Sequence, residues 1–354
     1  MTEFSKALPL FRLPLIPLIK ISRYMHLREI LLISLASKKS AYIIRCLLPP
    51  NWFFLQMSFS EESKIFLGAK GPWAPVIIKG QKTGDVYELQ IAQHNGVVSH
   101  RWTSPDLEDI VKPMLIHFAL TFNPTISIKF GHICHQDFAV SVLEHVKQLN
   151  LMITSLKILS DANISPENYE HILDRCKNIP ELVLSSEVTS DFQYRVGPDF
   201  SVDDFLVRDG HWMHLEDFSN CKKVTVWNSS GHTQQTYANS KVPRALIKKW
   251  IDSDCRLEHL EVSGYRFFSK EVTSVVENGF VSMNLLKLSY VFFRTTKHIE
   301  GYLYPVIFNF NLILQGLEFR QTANSHSVEI TRRCDGKKAT VKCRPLRFEL
   351  KVID

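Results

Sequence analysis

The chain of 354 residues carries 42 lysines and arginines against 36 aspartates and glutamates, a formal net charge of +6, and is 45% hydrophobic. That length holds one small and one larger domain, and that composition belongs to a chain that folds rather than to a disordered one. The Lys-Lys pairs at 38–39, 222–223, 248–249 and 337–338 never extend into a block, so the sequence lacks a nucleic-acid footprint and solvated basic faces are expected.

The seven cysteines, Cys46, Cys134, Cys176, Cys221, Cys255, Cys334 and Cys343, are scattered, odd in number and contain no C-x-x-C pair. Reduced thiols in an intracellular protein are the plain reading. The apolar stretch from Ala7 to Ile21 is interrupted by Arg12 and Lys20, and no small-residue cleavage site follows. No run approaches the ~20 apolar residues that span a bilayer. The expectation is a soluble protein of the cytoplasm or nucleus.

Three short helices are expected before residue 50. Leu13-Pro14 opens the first, with proline where its missing N–H costs nothing. Leu27, Ile30, Leu31 and Leu35 lie at i, i+3, i+4 and i+8, one stripe of a second helix. Lys38, Lys39 and Arg45 interleave with Ile43, Ile44, Leu47 and Leu48 in a third, which Pro49-Pro50 stops. So small a unit keeps much of its apolar surface outside, and some of that surface should face a partner or the main body.

From Trp52 to Trp102 the period changes to two. Strands are expected at Phe54–Phe59, Val76–Lys79, Val86–Ala92 and Val97–Trp102, with turns at Thr83-Gly84-Asp85 and Asn95-Gly96. The glycine pairs Gly68/Gly71 and Gly80/Gly84 read as turns, since no Gly-Lys-Ser/Thr ending follows. Ser104-Pro105-Asp106 then caps a helix with acids in its first turn, running to about Phe122.

Short apolar-x-apolar strands follow at Ile126–Ile128, Leu156–Ile158, Leu182–Leu184, Val224–Val226, Leu260–Val262 and Leu286–Leu288, most of them separated by helical stretches. Those stretches are Gln136–Leu149, Pro166–Cys176, Pro243–Ile251 and Lys270–Asn278. The alternation resembles a degenerate leucine-rich repeat without its Asn or Cys ladder, and an irregular α/β domain has the same signature. In either case neighbouring strands should pair in parallel. Period two returns at Leu317–Arg320, Ser327–Arg333, Ala339–Cys343 and Arg347–Val352, with Asp335-Gly336 as a hairpin turn.

Phe11-Arg12-Leu13-Pro14 and Ile33-Ser34-Leu35-Ala36-Ser37-Lys38 resemble the opening and the second helix of the nematode-type F-box, and Asp335-Gly-Lys-Lys-Ala-Thr-Val341 resembles the terminal hairpin of the F-box-associated domain in the same family. Ser40 stands where many other F-boxes have tryptophan, Pro17 lies in the first helical turns, and helix one lacks acidic residues. The resemblance implies an F-box at 8–50 and a substrate domain at 51–354. Within the latter the pattern of elements gives a β-meander plus helix at 51–125, repeat-like β/α units at 126–316 and a C-terminal hairpin region at 317–354. The expected class is therefore α+β or α/β.

The same resemblance implies the substrate-recognition subunit of an SCF-type ubiquitin ligase, which binds a Skp-family adaptor and through it a cullin, and performs no covalent chemistry. Leu13, Pro14, Leu18, Ile30, Leu31 and Leu35 would contribute to adaptor contact or to the packing that presents it. A stand-alone interaction protein, with the helices as a capping subdomain, is the alternative.

No catalytic framework is visible: no G-x-S-x-G, H-E-x-x-H, phosphate loop or dinucleotide fingerprint occurs. His132, Cys134 and His135 offer three ligand atoms without a second cluster to complete a zinc site, and read as turn or buried residues. No cofactor is expected. If the apolar pairs of the repeat strands face the helices, Lys157, Val183, Thr225, Trp227, Glu261 and Lys287 face outward and would meet a target protein. Trp227 is the natural anchor of such a surface, or else packs under residues 228–241.

Overall fold

The computed structural model describes residues 10–71, 73–92, 98–132, 136–227, 242–263, 319–322, 325–344 and 347–353. By contact the chain divides into two compact units, Met1–Asp209 and Gly210–Asp354, both of α+β class. The turn at Asn95-Gly96, Cys134 and His135 of the candidate ligand cluster, the segment 228–241 as a cover for Trp227, the strand at Leu286–Leu288, the helix at Lys270–Asn278 and the outward Lys287 lie outside the described residues.

The first unit begins with three helices. After a turn of 3-10 helix at Leu10–Arg12, α1 spans Leu15–Tyr24, with Pro14 extended at its N-cap and Pro17 tolerated in a first turn whose N–H groups have no intrahelical partner. In α2 (Leu27–Ala36) the Glu29 carboxylate accepts from the His26 N–H at 2.9 Å, and in α3 (Lys38–Leu47) the Ser37 hydroxyl accepts from the Ser40 N–H at 3.0 Å. Leu18, Leu27, Ile30, Leu31, Ile44 and Leu47 form the shared core of the three.

The meander follows as β1 (Phe53–Phe59), β2 (Ser63–Ala69), β3 (Val76–Thr83), β4 (Val86–Ala92) and β5 (Val98–Ser104), each antiparallel to the next. The strand β2 is one that the sequence pattern missed. Its Lys64 and Gly68 break the apolar run, and the glycine reading is corrected at two positions. Gly68 lies in β2, where an added Cβ would come within 2.3 Å of the Phe54 ring, and Gly80 lies in β3. Both admit a close approach from the neighbouring strand. Gly71 and Gly84 are the true turns, with φ of +114° and +61°.

Next come α4 (Leu107–Thr121), β6 (Thr125–Phe130), α5 (Gln136–Gln148), β7 (Ile153–Ile158), α6 (Pro166–Arg175), β8 (Glu181–Leu184) and β9 (Asp204–Arg208). These strands pair in parallel in the order β6, β7, β8, β9. Helical crossovers supply two of the connections, while 185–203, between β8 and β9, contains no helix. β9 also escaped the sequence reading because Asp203 and Asp204 mask its short Phe205/Val207 alternation. β1 joins the two halves: it is antiparallel to β2 and parallel to β6, so meander and parallel strands form one mixed sheet. Leu55, Met57, Phe59, Ile65, Ile78, Ile126, Ile128, Phe130, Leu156, Ile158, Leu182 and Leu184 are buried on one face of this sheet.

The second unit contains β10 (Lys223–Trp227), α7 (Val242–Asp252), β11 (His259–Ser263), β12 (Phe319–Thr322), β13 (Ser325–Thr331), β14 (Lys338–Arg344) and β15 (Arg347–Ile353). β10 and β11 are parallel, β15 is antiparallel to β11, and β14, β13 and β12 continue the sheet antiparallel. The C-terminal strands therefore continue the sheet of β10 and β11. Gly336, at φ +73°, makes the turn between β13 and β14.

Candidate docking surfaces

The six N-terminal residues singled out by the sequence divide by burial. Leu18 on α1 and Ile30 and Leu31 on α2 are core, on helices that each pack against α3, so their contribution is to packing rather than to contact. Leu13 and Leu35 are half-buried and Pro14 is exposed. More apolar surface reaches solvent beside them: Leu15 is 61% and Ile16 69% exposed, neither of them singled out by the sequence, and Phe11 of the opening motif, Tyr24 and Tyr42 are exposed as well. The helical wheel held the signal. Leu18 and Ser22 are the inward residues of α1, which turns Ile16, Lys20 and Arg23 to the opposite side.

The three helices rest on α4. Ser34 Oγ is 2.8 Å from His117 Nε2, and Arg45 Nη1 donates to the Leu120 carbonyl at 2.9 Å. Burial, and then the nearby His100, hold the His117 pKa below its ordinary value of 6.5, so neutral imidazole is the form that fits here.

On the repeat strands the alternation places both members of each apolar pair inward: Leu156/Ile158, Leu182/Leu184, Val224/Val226 and Leu260/Val262 are all buried. In the first unit Lys157 is half-buried and donates to Glu181 at 2.6 Å, with Val183 its register partner on β8. In the second unit Trp227 is 46% exposed, and Glu261 is paired with Arg347 at 3.0 Å. Thr225 is the exception. It is only 6% exposed, because its short side chain sits in mid-sheet beside its longer register partner Glu261. Alternation gives the face a residue points to, not how far its neighbours rise above it.

Among the described residues no group of titratable side chains assembles a reaction site. Cys176, which lines a depression of about 370 Å³ with Glu144 and Arg175, has its thiol pushed up to about 12 by burial, and Glu144 is engaged by His171 at 3.0 Å and Arg175 at 2.9 Å. Asp254, Cys334 and Asp335 bring ligand atoms within 4.8 Å of one another, but the Asp335 carboxylate already accepts from the Arg332 guanidinium. No helix among the described residues is long and apolar enough to cross a membrane. Compared with known proteins, the chain matches no family model, no curated protein and no solved structure.

Proposed function

We propose that this protein is the substrate-recognition subunit of an SCF-type ubiquitin ligase in the cytoplasm or nucleus, with residues 8–50 an F-box that binds a Skp-family adaptor and, through it, a cullin. The observation that carries the reading is the exposed apolar edge of α1, Leu15 and Ile16 directly after Leu13-Pro14, on a three-helix unit whose own core is already filled. Buried apolar surface drives association, and an edge of this kind in water gains from being covered.

The body behind it would present the target. The β6-α5-β7-α6-β8 alternation supports a degenerate leucine-rich-repeat-like array, and the helix-free passage from β8 to β9 is its departure from a regular one. In this division of labour the protein tethers a target lysine near a charged conjugating enzyme and performs no covalent step itself.

The polar bonds from Ser34 and Arg45 to α4 favour a second reading, a capping subdomain of a stand-alone interaction protein. Co-purification separates the two. Leu15→Lys with Ile16→Lys changes only exposed positions, so the fold should survive. Covering one leucine is worth roughly 1.5–3 kcal/mol, so adaptor capture should fall at least about tenfold. Undiminished capture by the folded double variant would remove α1 from the docking surface.

A further inference from the structure

In the first unit, the sheet face opposite the buried one carries a row of basic residues that no single stretch of sequence contains. Strand register aligns Arg101, Gln90, Lys79, Lys64, Ser58, Lys129 and Lys157 across β5, β4, β3, β2, β1, β6 and β7. With strands about 4.8 Å apart, the row runs for about 29 Å. Arg101, Lys79, Lys64 and Lys129 are exposed. Three of the five cations have acidic neighbours: Arg101 with Glu88 at 2.8 Å, Lys64 with Glu62 at 2.9 Å and Lys157 with Glu181 at 2.6 Å. Among the described residues Lys79 and Lys129 make no ion pair, although Glu62, whose pKa is lowered first by Lys64, also feels the charge of Lys79.

One register step away the same face is apolar. Phe66 and Ile77 are partners across β2 and β3, and Phe66 stacks on Phe54 with ring centroids 5.9 Å apart. Ile77 is exposed despite its size. A cationic row beside an apolar strip is complementary to a ligand that is acidic on one side and apolar on the other.

We propose that this face binds an extended acidic segment of a target protein, about nine residues at about 3.3 Å each, with carboxylates over Lys79 and Lys129 and apolar side chains on Phe66 and Ile77. A nucleic-acid strand fits less well, because a phosphate at every step would meet Glu62, Glu88, Glu181 and the apolar strip, whereas a peptide can place its few carboxylates at Lys79 and Lys129 alone. The inference rests on reading the body as the target-presenting part of the molecule, yet its test needs no adaptor. Loss of adaptor capture with peptide binding intact would strike the ligase link alone.

The probe is a fluorescein-labelled peptide alternating Asp or Glu with Leu, titrated with the full chain and followed by anisotropy. A peptide with Lys in place of the acids and a single-stranded oligonucleotide of the same charge serve as comparisons. The acidic peptide should bind, more weakly as salt rises. Lys79→Glu with Lys129→Glu should weaken it at least about tenfold, whereas Lys147→Glu on α5 should leave it unchanged. Should the glutamate variant lose its melting transition, Lys79→Gln with Lys129→Gln replaces it, with loss of binding again expected. Equal binding by the variant, no binding of the acidic peptide, or preference for the oligonucleotide would each overturn the proposal.

Discussion

Arg332 shows how much one side chain organises in the second unit. Its guanidinium is buried, donates to the Cys255 carbonyl at 2.5 Å and to both Asp335 oxygens, and lies over the Trp250 ring at 5.4 Å. The arginine in turn holds the Asp335 carboxyl far below its ordinary 3.8. Arg332→Met keeps most of the volume but leaves a buried carbonyl without its donor, a loss of about 1–3 kcal/mol in urea unfolding. Since the Asp335 pKa is depressed on folding, the stability linked to its charge is present above pH 3.8 and is lost only as pH falls toward the folded-state value. His117 works the other way on the pH axis. A histidine whose pKa is lowered on folding takes up more protons when unfolded, so stability falls as pH drops below 6.5. The thermal midpoint should decline between about pH 7.5 and about pH 5.5, and His117→Gln should flatten that decline. A slope unaffected by the substitution would assign the pH dependence to other groups.

Elements were legible in the sequence wherever local chemistry sets their limits. Pro14, Ser37 and Pro49-Pro50 bound the three N-terminal helices, Asp106 caps α4 by accepting from the Glu108 N–H at 2.9 Å, and Ser165 caps α6 by accepting from the Asn168 N–H at 3.2 Å. What local chemistry does not set was not legible. Strand β2 carries a glycine because Phe54 lies across it, and β9 is short and acid-flanked, so both depend on partners distant in sequence. The basic row is the same case: each lysine reads as an ordinary solvated residue until β1 pairs with β2 on one side and β6 on the other. Gly80 tests that dependence. An added Cβ would lie 2.4 Å from Leu89 Cδ2 and 2.9 Å from Ser63 Cβ, so Gly80→Val should cost about 1–3 kcal/mol of stability by overpacking. A midpoint in urea equal to that of the parent would mean that β2, β3 and β4 pack less closely at this point.

Across the whole molecule, the proposed function divides the work between two surfaces that share no residue. The α1 edge is apolar and would hold the adaptor, while the open face of the first unit's sheet is basic with an apolar strip and would hold the target. Such a division predicts that changes to one surface leave the other's binding intact, as distant sites do not couple without a shared element. The most direct measurement is calorimetric titration of the purified full-length chain with a Skp-family adaptor. A one-to-one complex with a dissociation constant of about a micromolar or tighter is expected, lost in the Leu15→Lys, Ile16→Lys variant. No heat of binding from the parent chain at tens of micromolar adaptor, roughly ten times that constant, would contradict the proposed function.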